Sequence, residues 1–112
     1  MSDRPTAKAV RILIVEDDAI QVTLLQHAVG TLLDVDVRYA KTGRQALQHV
    51  GDWHPQVVVT DLRLPDMHGM DVLKAIRTQG HACTVFAISA TDSVDEAVAA
   101  VHAGAAEFMS KP

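Results

Sequence analysis

Four short runs, well separated along the chain, each deliver a polar side chain where the run ends. Ile12-Leu13-Ile14-Val15 leads into Glu16-Asp17-Asp18, and Val57-Val58-Val59-Thr60 leads into Asp61. Val85-Phe86-Ala87-Ile88 leads into Ser89, and Ala106-Glu107-Phe108-Met109-Ser110 into Lys111. A short continuous apolar run bounded by turn signals reads as a strand buried on both faces. In an open α/β sheet, ligands bind at the carboxyl ends of such strands. Carboxylates, a hydroxyl and an ammonium are therefore expected to meet at one edge of a sheet.

The intervening segments carry helical spacing. Residues 19–30 place Ile20, Leu24, Leu25, Ala28 and Val29 on one face, with Asp18 where an N-cap belongs. A second helix is expected over 42–50, entered through Gly43 and left at Gly51. A third runs over 69–79 with Met70, Leu73 and Ile76 inward, after a loop broken by Pro65. A fourth covers 92–102 and stops at Gly104. Strands are expected at 11–16, 35–39, 56–61, 84–89 and 106–109; the second alternates with Asp36 and Arg38 as a half-exposed edge strand should. Strand and helix alternate with short connections, which predicts an α/β fold of parallel strands, right-handed crossovers and helices on both faces.

At 112 residues the chain is one domain, long enough for a real core. Residues 1–9 read as a disordered leader and 10–112 as the folded unit. The net charge of −4 argues against direct nucleic-acid binding or attachment to an anionic membrane. No apolar run is long enough to span a bilayer, and no signal peptide is visible at the start. The single cysteine, Cys83, excludes an internal disulfide and fits the cytoplasm.

If the strands ending at Glu16 and Asp61 are neighbours, Glu16, Asp17 and Asp61 crowd together. Like charges that close cannot all stay ionised unaided. A hard divalent cation relieves the repulsion, and Mg²⁺ suits a small open oxygen cluster. Asp61, alone at its strand tip, is placed to attack phosphorus and form an acyl phosphate. Lys111 and Ser89 then offer a charge and a hydroxyl to the phosphoryl oxygens.

Ile14-Val15-Glu16-Asp17-Asp18, the stretch Val59 to Gly69, Ala87-Ile88-Ser89-Ala90 and Phe108-Met109-Ser110-Lys111-Pro112 occur in this order. Together they resemble the receiver domain of a two-component response regulator over residues 11–112. The resemblance implies a flavodoxin-like, doubly wound five-stranded sheet in the order 2-1-3-4-5. It also implies Asp61 as phosphoacceptor and Asp17 as direct ligand of Mg²⁺, or of Mn²⁺ in its place. Glu16 would support the metal, and the backbone carbonyl of Arg63 would complete its protein ligands. Ser89 and Phe108 match the family's coupled switch pair; Phe108, often tyrosine there, lacks the hydroxyl. Arg63 and Thr91 side chains would flank the site. The phosphoryl donor would be a sensor histidine kinase or a phosphotransfer protein, with weak self-dephosphorylation resetting the domain.

The resemblance also implies a fifth helix, and the sequence reaches Pro112 without one. Leaving its ground uncovered exposes apolar side chains worth about 1.5–3 kcal/mol each. A homodimer through that open face, and a longer parent chain with a downstream effector, are the matching expectations. Asp18 is read as a cap rather than a ligand, and Asp66 as a solvated loop residue. The six histidines lack metal-ligand spacing, Cys83 is read as packing, and Trp53 is expected to cover a core edge. Ala97, Val98 and Val101 are expected in the core.

Two other functions compete. A phosphatase working through an aspartyl phosphate usually needs a second acid two residues after the nucleophile, where this chain has Arg63. A receiver-like scaffold without phosphorylation is opposed by the complete acid set with Ser89 and Lys111. No glycine-rich phosphate loop supports nucleotide binding.

Overall fold

The structure is a computed structural model that describes residues 9–32, 34–90 and 93–111. The expected leader, apart from Ala9, lies outside the described residues, as do Thr91 and the expected helix start at Asp92. The elements run β1 (Val10–Val15), α1 (Ala19–Val29), β2 (Val35–Ala40), α2 (Gly43–Trp53), β3 (Val57–Asp61), α3 (Gly69–Thr78), β4 (Thr84–Ser89), α4 (Val94–His102) and β5 (Glu107–Ser110). All strand pairs are parallel, in the order β2-β1-β3-β4-β5. This is the expected flavodoxin-like order, with four helices among the described residues.

Pleating sends alternate residues to opposite faces of the sheet. Register aligns Leu13 with Val58 and Val58 with Val85, then Val15 with Thr60 and Thr60 with Ala87. That face is fully buried, and it joins Ala46 and Val50 of α2 with Val72, Leu73 and Ile76 of α3 in one core. The opposite face carries Ile12, Ile14, Val57, Val59, Phe86 and Ile88. There Val57, Val59 and Phe86 are only half-buried.

α1 covers that second face poorly. Its Leu25 and Gln21 meet Ile88 of β4 and Met109 of β5 around a groove of about 170 Å³. None of its residues is buried, and Ile20 and Leu24 remain 71% and 48% exposed. The apolar stripe read from the sequence is present, but one helix cannot shield a face five strands wide. The expected burial of Ala97, Val98 and Val101 also needs correction. Val98 and Val101 are each about half exposed, Ala97 is half-buried, and Ala100 alone of α4 is buried. The helix is turned so that one of its three alanines, Ala100, joins the core.

Gly51 does not end α2. The helix runs through it to Trp53 and closes at His54, which adopts a left-handed conformation (φ 53°). An interior glycine costs a helix only about 1 kcal/mol. Continuing brings Trp53 against the core, with the Arg38 guanidinium 4.6 Å above its ring.

Candidate functional site

The site lies at the carboxyl ends of β1, β3, β4 and β5. Asp18 is a cap, as expected: its carboxylate accepts from the backbone N–H of Ile20 and Gln21 and so fixes the start of α1. That leaves Glu16 and Asp17 in the short stretch between β1 and α1. Glu16 extends the strand, donating its N–H to Ala40. Its Oε2 accepts from the Asp18 N–H at 3.1 Å. Asp61 closes β3, buried beside Ile88 of β4. Its Oδ1 accepts from the Arg63 N–H at 3.0 Å, so the chain folds back over its own carboxylate.

Lys111 arrives by continued strand pairing: its backbone N–H donates to the Ser89 carbonyl at 2.7 Å. This directs the ammonium between two buried acids, 2.8 Å from Asp61 Oδ2 and 3.0 Å from Glu16 Oε1. The contact with Oε1 is an ion pair without hydrogen-bond geometry, so that buried oxygen keeps no hydrogen bond. Burial raises the Glu16 carboxyl above its ordinary value, against the pull of Lys111 and the Asp18 N–H. Burial alone would lower the Lys111 pKa; the Asp61 and Glu16 carboxylates outweigh it and raise the net value.

Glu16, Asp17 and Asp61 each offer a carboxylate oxygen, all within 4.8 Å of one another. Two are buried and Asp17 is exposed, so the cluster opens to solvent on one side. An all-oxygen, anionic donor set with an open side and one buried oxygen lacking a hydrogen bond fits Mg²⁺. Ser89 is fully buried at the end of β4. Phe108 pairs with Ala87 and Ser110 with Ser89, so pleating puts Ser89 and Phe108 on the same face of the sheet. Glu16, Asp17, Asp61, Ser89 and Lys111 thus gather at one edge, with Phe108 two residues back from the end of β5, and Thr91 lies outside the described residues.

Two further contacts were not visible from the motifs. The Arg63 guanidinium pairs with Glu96 of α4 at 3.3 Å, tying the loop after Asp61 to the helix after Ser89. The spacing Ser93-x-x-Glu96 is a capping signature, and Ser93 does accept from the Glu96 N–H. The Glu96 carboxylate goes instead to Arg63. Asp66, expected to be merely solvated, accepts from the N–H groups of Gly43 and Arg44 at the start of α2. The signal was indirect: the first turn of α2 has no acidic residue of its own.

Lys111→Met should destabilise the fold at neutral pH by about 2–4 kcal/mol, because two close carboxylates lose their shared cation. Lys111 has a raised folded pKa, so its stabilisation is complete below the ordinary lysine pKa and lost as pH rises through the folded value. In the variant, acidification into the carboxylate range neutralises the stranded acids. Urea titrations should therefore show the gap between the two proteins narrowing from pH 7 towards pH 4; a constant gap would contradict this charge balance.

The profile described as response regulator receiver domain matches residues 12–112. The regulatory protein LuxO of Vibrio cholerae is 40% identical over 96 residues, covering 86% of this chain and 21% of LuxO. The response regulator MprA of Mycolicibacterium vanbaalenii is 34% identical over 103 residues, covering 92% of this chain and 44% of MprA. The chain thus spans less than half the length of these curated relatives. Among solved structures, the signal receiver domain of a Vibrio parahaemolyticus protein classed as a LuxO repressor superposes with a TM-score of 0.88. It is 36% identical, and the match covers 93% of this chain and 79% of that one.

Proposed function

The chain belongs to the response regulator receiver domain family, and on that premise we propose that Asp61 accepts a phosphoryl group from a phosphohistidine on a sensor kinase or phosphotransfer protein. The observation that carries this reading is the Lys111 ammonium held between Asp61 and Glu16 beside an open acid cluster. A carboxylate oxygen of Asp61 forms the new P–O bond as the P–N bond to the donor imidazole breaks, and the ring nitrogen keeps the electron pair. Lys111 follows the developing charge onto a phosphoryl oxygen, and the Ser89 hydroxyl reaches another. Glu16, Asp17, Asp61 and the Arg63 carbonyl would hold Mg²⁺ or Mn²⁺. When bound, the ion neutralises phosphoryl charge and relieves the crowding of the acids.

Occupation of the Ser89 hydroxyl by the phosphoryl group would draw the β4 end inward and let Phe108 follow on the same face. That shift is the signal passed to an output. Slow attack of water on the acyl phosphate returns the domain to rest, in a cytoplasmic setting. The chain is a switch rather than a turnover enzyme: Arg63 stands where a phosphatase would need its general acid.

Incubating the protein with acetyl phosphate and Mg²⁺ tests the reading by intact mass. One phosphoryl group should add, and chelation of the metal should prevent it. Turnover of a phosphomonoester through many cycles would favour the phosphatase instead.

The apolar side chains exposed on α1 and β5, Ile20, Leu24 and Met109, support pairing of two copies across this face when the chain is alone. Sedimentation velocity should then show a dimer that grows with concentration. A monomer at all concentrations would rule the pairing out.

A further inference from the structure

We infer that Asp66 is a positioning residue for the metal-binding loop, tethering the segment that carries the Arg63 carbonyl to the first turn of α2. The inference rests on the proposed role of that carbonyl as a metal ligand.

The loop between β3 and α3 is closed at its base and fastened at its tip. At the base, Gly69 donates its N–H to the Leu62 carbonyl at 2.8 Å, and Arg63 pairs with His68 as an antiparallel bridge. The Arg63 N–H is already committed to Asp61 Oδ1. What fixes the tip is Asp66. Its Oδ1 accepts from the Gly43 N–H at 2.7 Å and its Oδ2 from the Arg44 N–H at 3.0 Å.

Both carboxylate oxygens are thus used on α2, across 23 and 22 residues of chain. The Arg44 and Gly43 N–H groups hold the Asp66 carboxyl below its ordinary value, as an anion at a helix N-terminus should be.

The docking is close as well as charged. A Cβ at Gly43 would stand 2.4 Å from Met67 Cγ, so the Met67 side chain of the loop already fills the space against the helix start. α2 is itself anchored in the core through Ala46 and Val50. The loop holding Arg63 is therefore braced on a buried helix, while its own Pro65 and Asp66 are exposed. Releasing the tip leaves the base bonds to orient the Arg63 carbonyl alone.

α2 offers a built-in control. Thr42 supplies its other N-terminal acceptor, taking the Gln45 N–H at 3.0 Å. Thr42→Ala removes a helix cap without cutting the tie to the loop. Asp66→Ala removes the tie, and Asp66→Asn keeps the shape but loses the charge and one of the two acceptors.

Calorimetric Mg²⁺ titrations of these variants of the whole chain, with amide hydrogen exchange at Gly69, decide the matter. Asp66→Ala should weaken Mg²⁺ about tenfold, the lower end for groups that orient metal ligands from behind. Asp66→Asn should fall between it and wild type, and Thr42→Ala should bind as wild type does. Without metal, the Gly69 amide should exchange faster in Asp66→Ala than in wild type or Thr42→Ala. Equal Mg²⁺ affinity in Asp66→Ala and wild type overturns the inference, as does an equal loss in Thr42→Ala. Wild-type protein that takes up no Mg²⁺ at all overturns the functional reading beneath it as well.

Discussion

Asp61→Asn should abolish phosphoryl incorporation from acetyl phosphate, read as complete loss of the mass adduct, while leaving the fold intact. The amide keeps the size of the side chain, and its single oxygen can accept from the Arg63 N–H or from Lys111 but not from both. What it loses is the anionic oxygen needed to attack phosphorus. Among the described residues Glu16 then remains as the charge partner of Lys111. Circular dichroism should be unchanged, and a persisting adduct of one phosphoryl group would show that another residue is the acceptor. Asp17 is the natural second candidate, being the exposed acid of the cluster. Running Asp17→Asn in parallel separates the two, since losing the metal ligand proposed there should slow the reaction without removing the proposed nucleophile.

Gly69→Ala should destabilise the protein by about 3 kcal/mol or more and disturb the site with it. A Cβ there would stand 2.2 Å from the Asp61 carbonyl oxygen and 2.7 Å from Leu62 Cα. Both obstacles are backbone, so no rotamer change relieves them, and either α3 or the end of β3 must move. Overpacking a tight site costs about 1–3 kcal/mol when side chains can give way, and more when they cannot. The contrast is Gly51, inside α2 with nothing within 4 Å of a built Cβ. Gly51→Ala should stabilise by about 0.5–1 kcal/mol, because glycine in mid-helix carries an entropic penalty. Urea midpoints for the two variants should move in opposite directions. A Gly69→Ala midpoint equal to wild type would mean the close approach of α3 to β3 is wrong.

The strands were the most legible part of the chain, because an apolar run capped by a carboxylate or hydroxyl has few other readings. β4 matches its expected bounds, and β1, β3 and β5 shift by about a residue. Helix ends were harder. Gly51 reads as a stop because glycine often is one, yet the core contacts of Val50 and Trp53 on either side of it favour continuing the turn.

The apolar faces of α1 and α4 showed the opposite failure. Periodicity says which residues share a face; it does not say whether anything covers that face, so Val98 was expected in the core and is exposed, as is Ile20 on the apolar face of α1. The acids and Lys111 were legible because their strands deliver them by topology alone. Asp66 and Glu96 were not, because each acts on a partner 22 or more residues away in sequence.

The strand that delivers Lys111 is the last of the sheet in chain order, and it holds the ammonium in place only by pairing with β4. During synthesis, Glu16, Asp17, Asp61 and Ser89 leave the ribosome first, and domains tend to fold as units once their parts are out. Until residue 111 has emerged and zipped onto its neighbour, a nascent chain displays its acids with no resident cation to balance them.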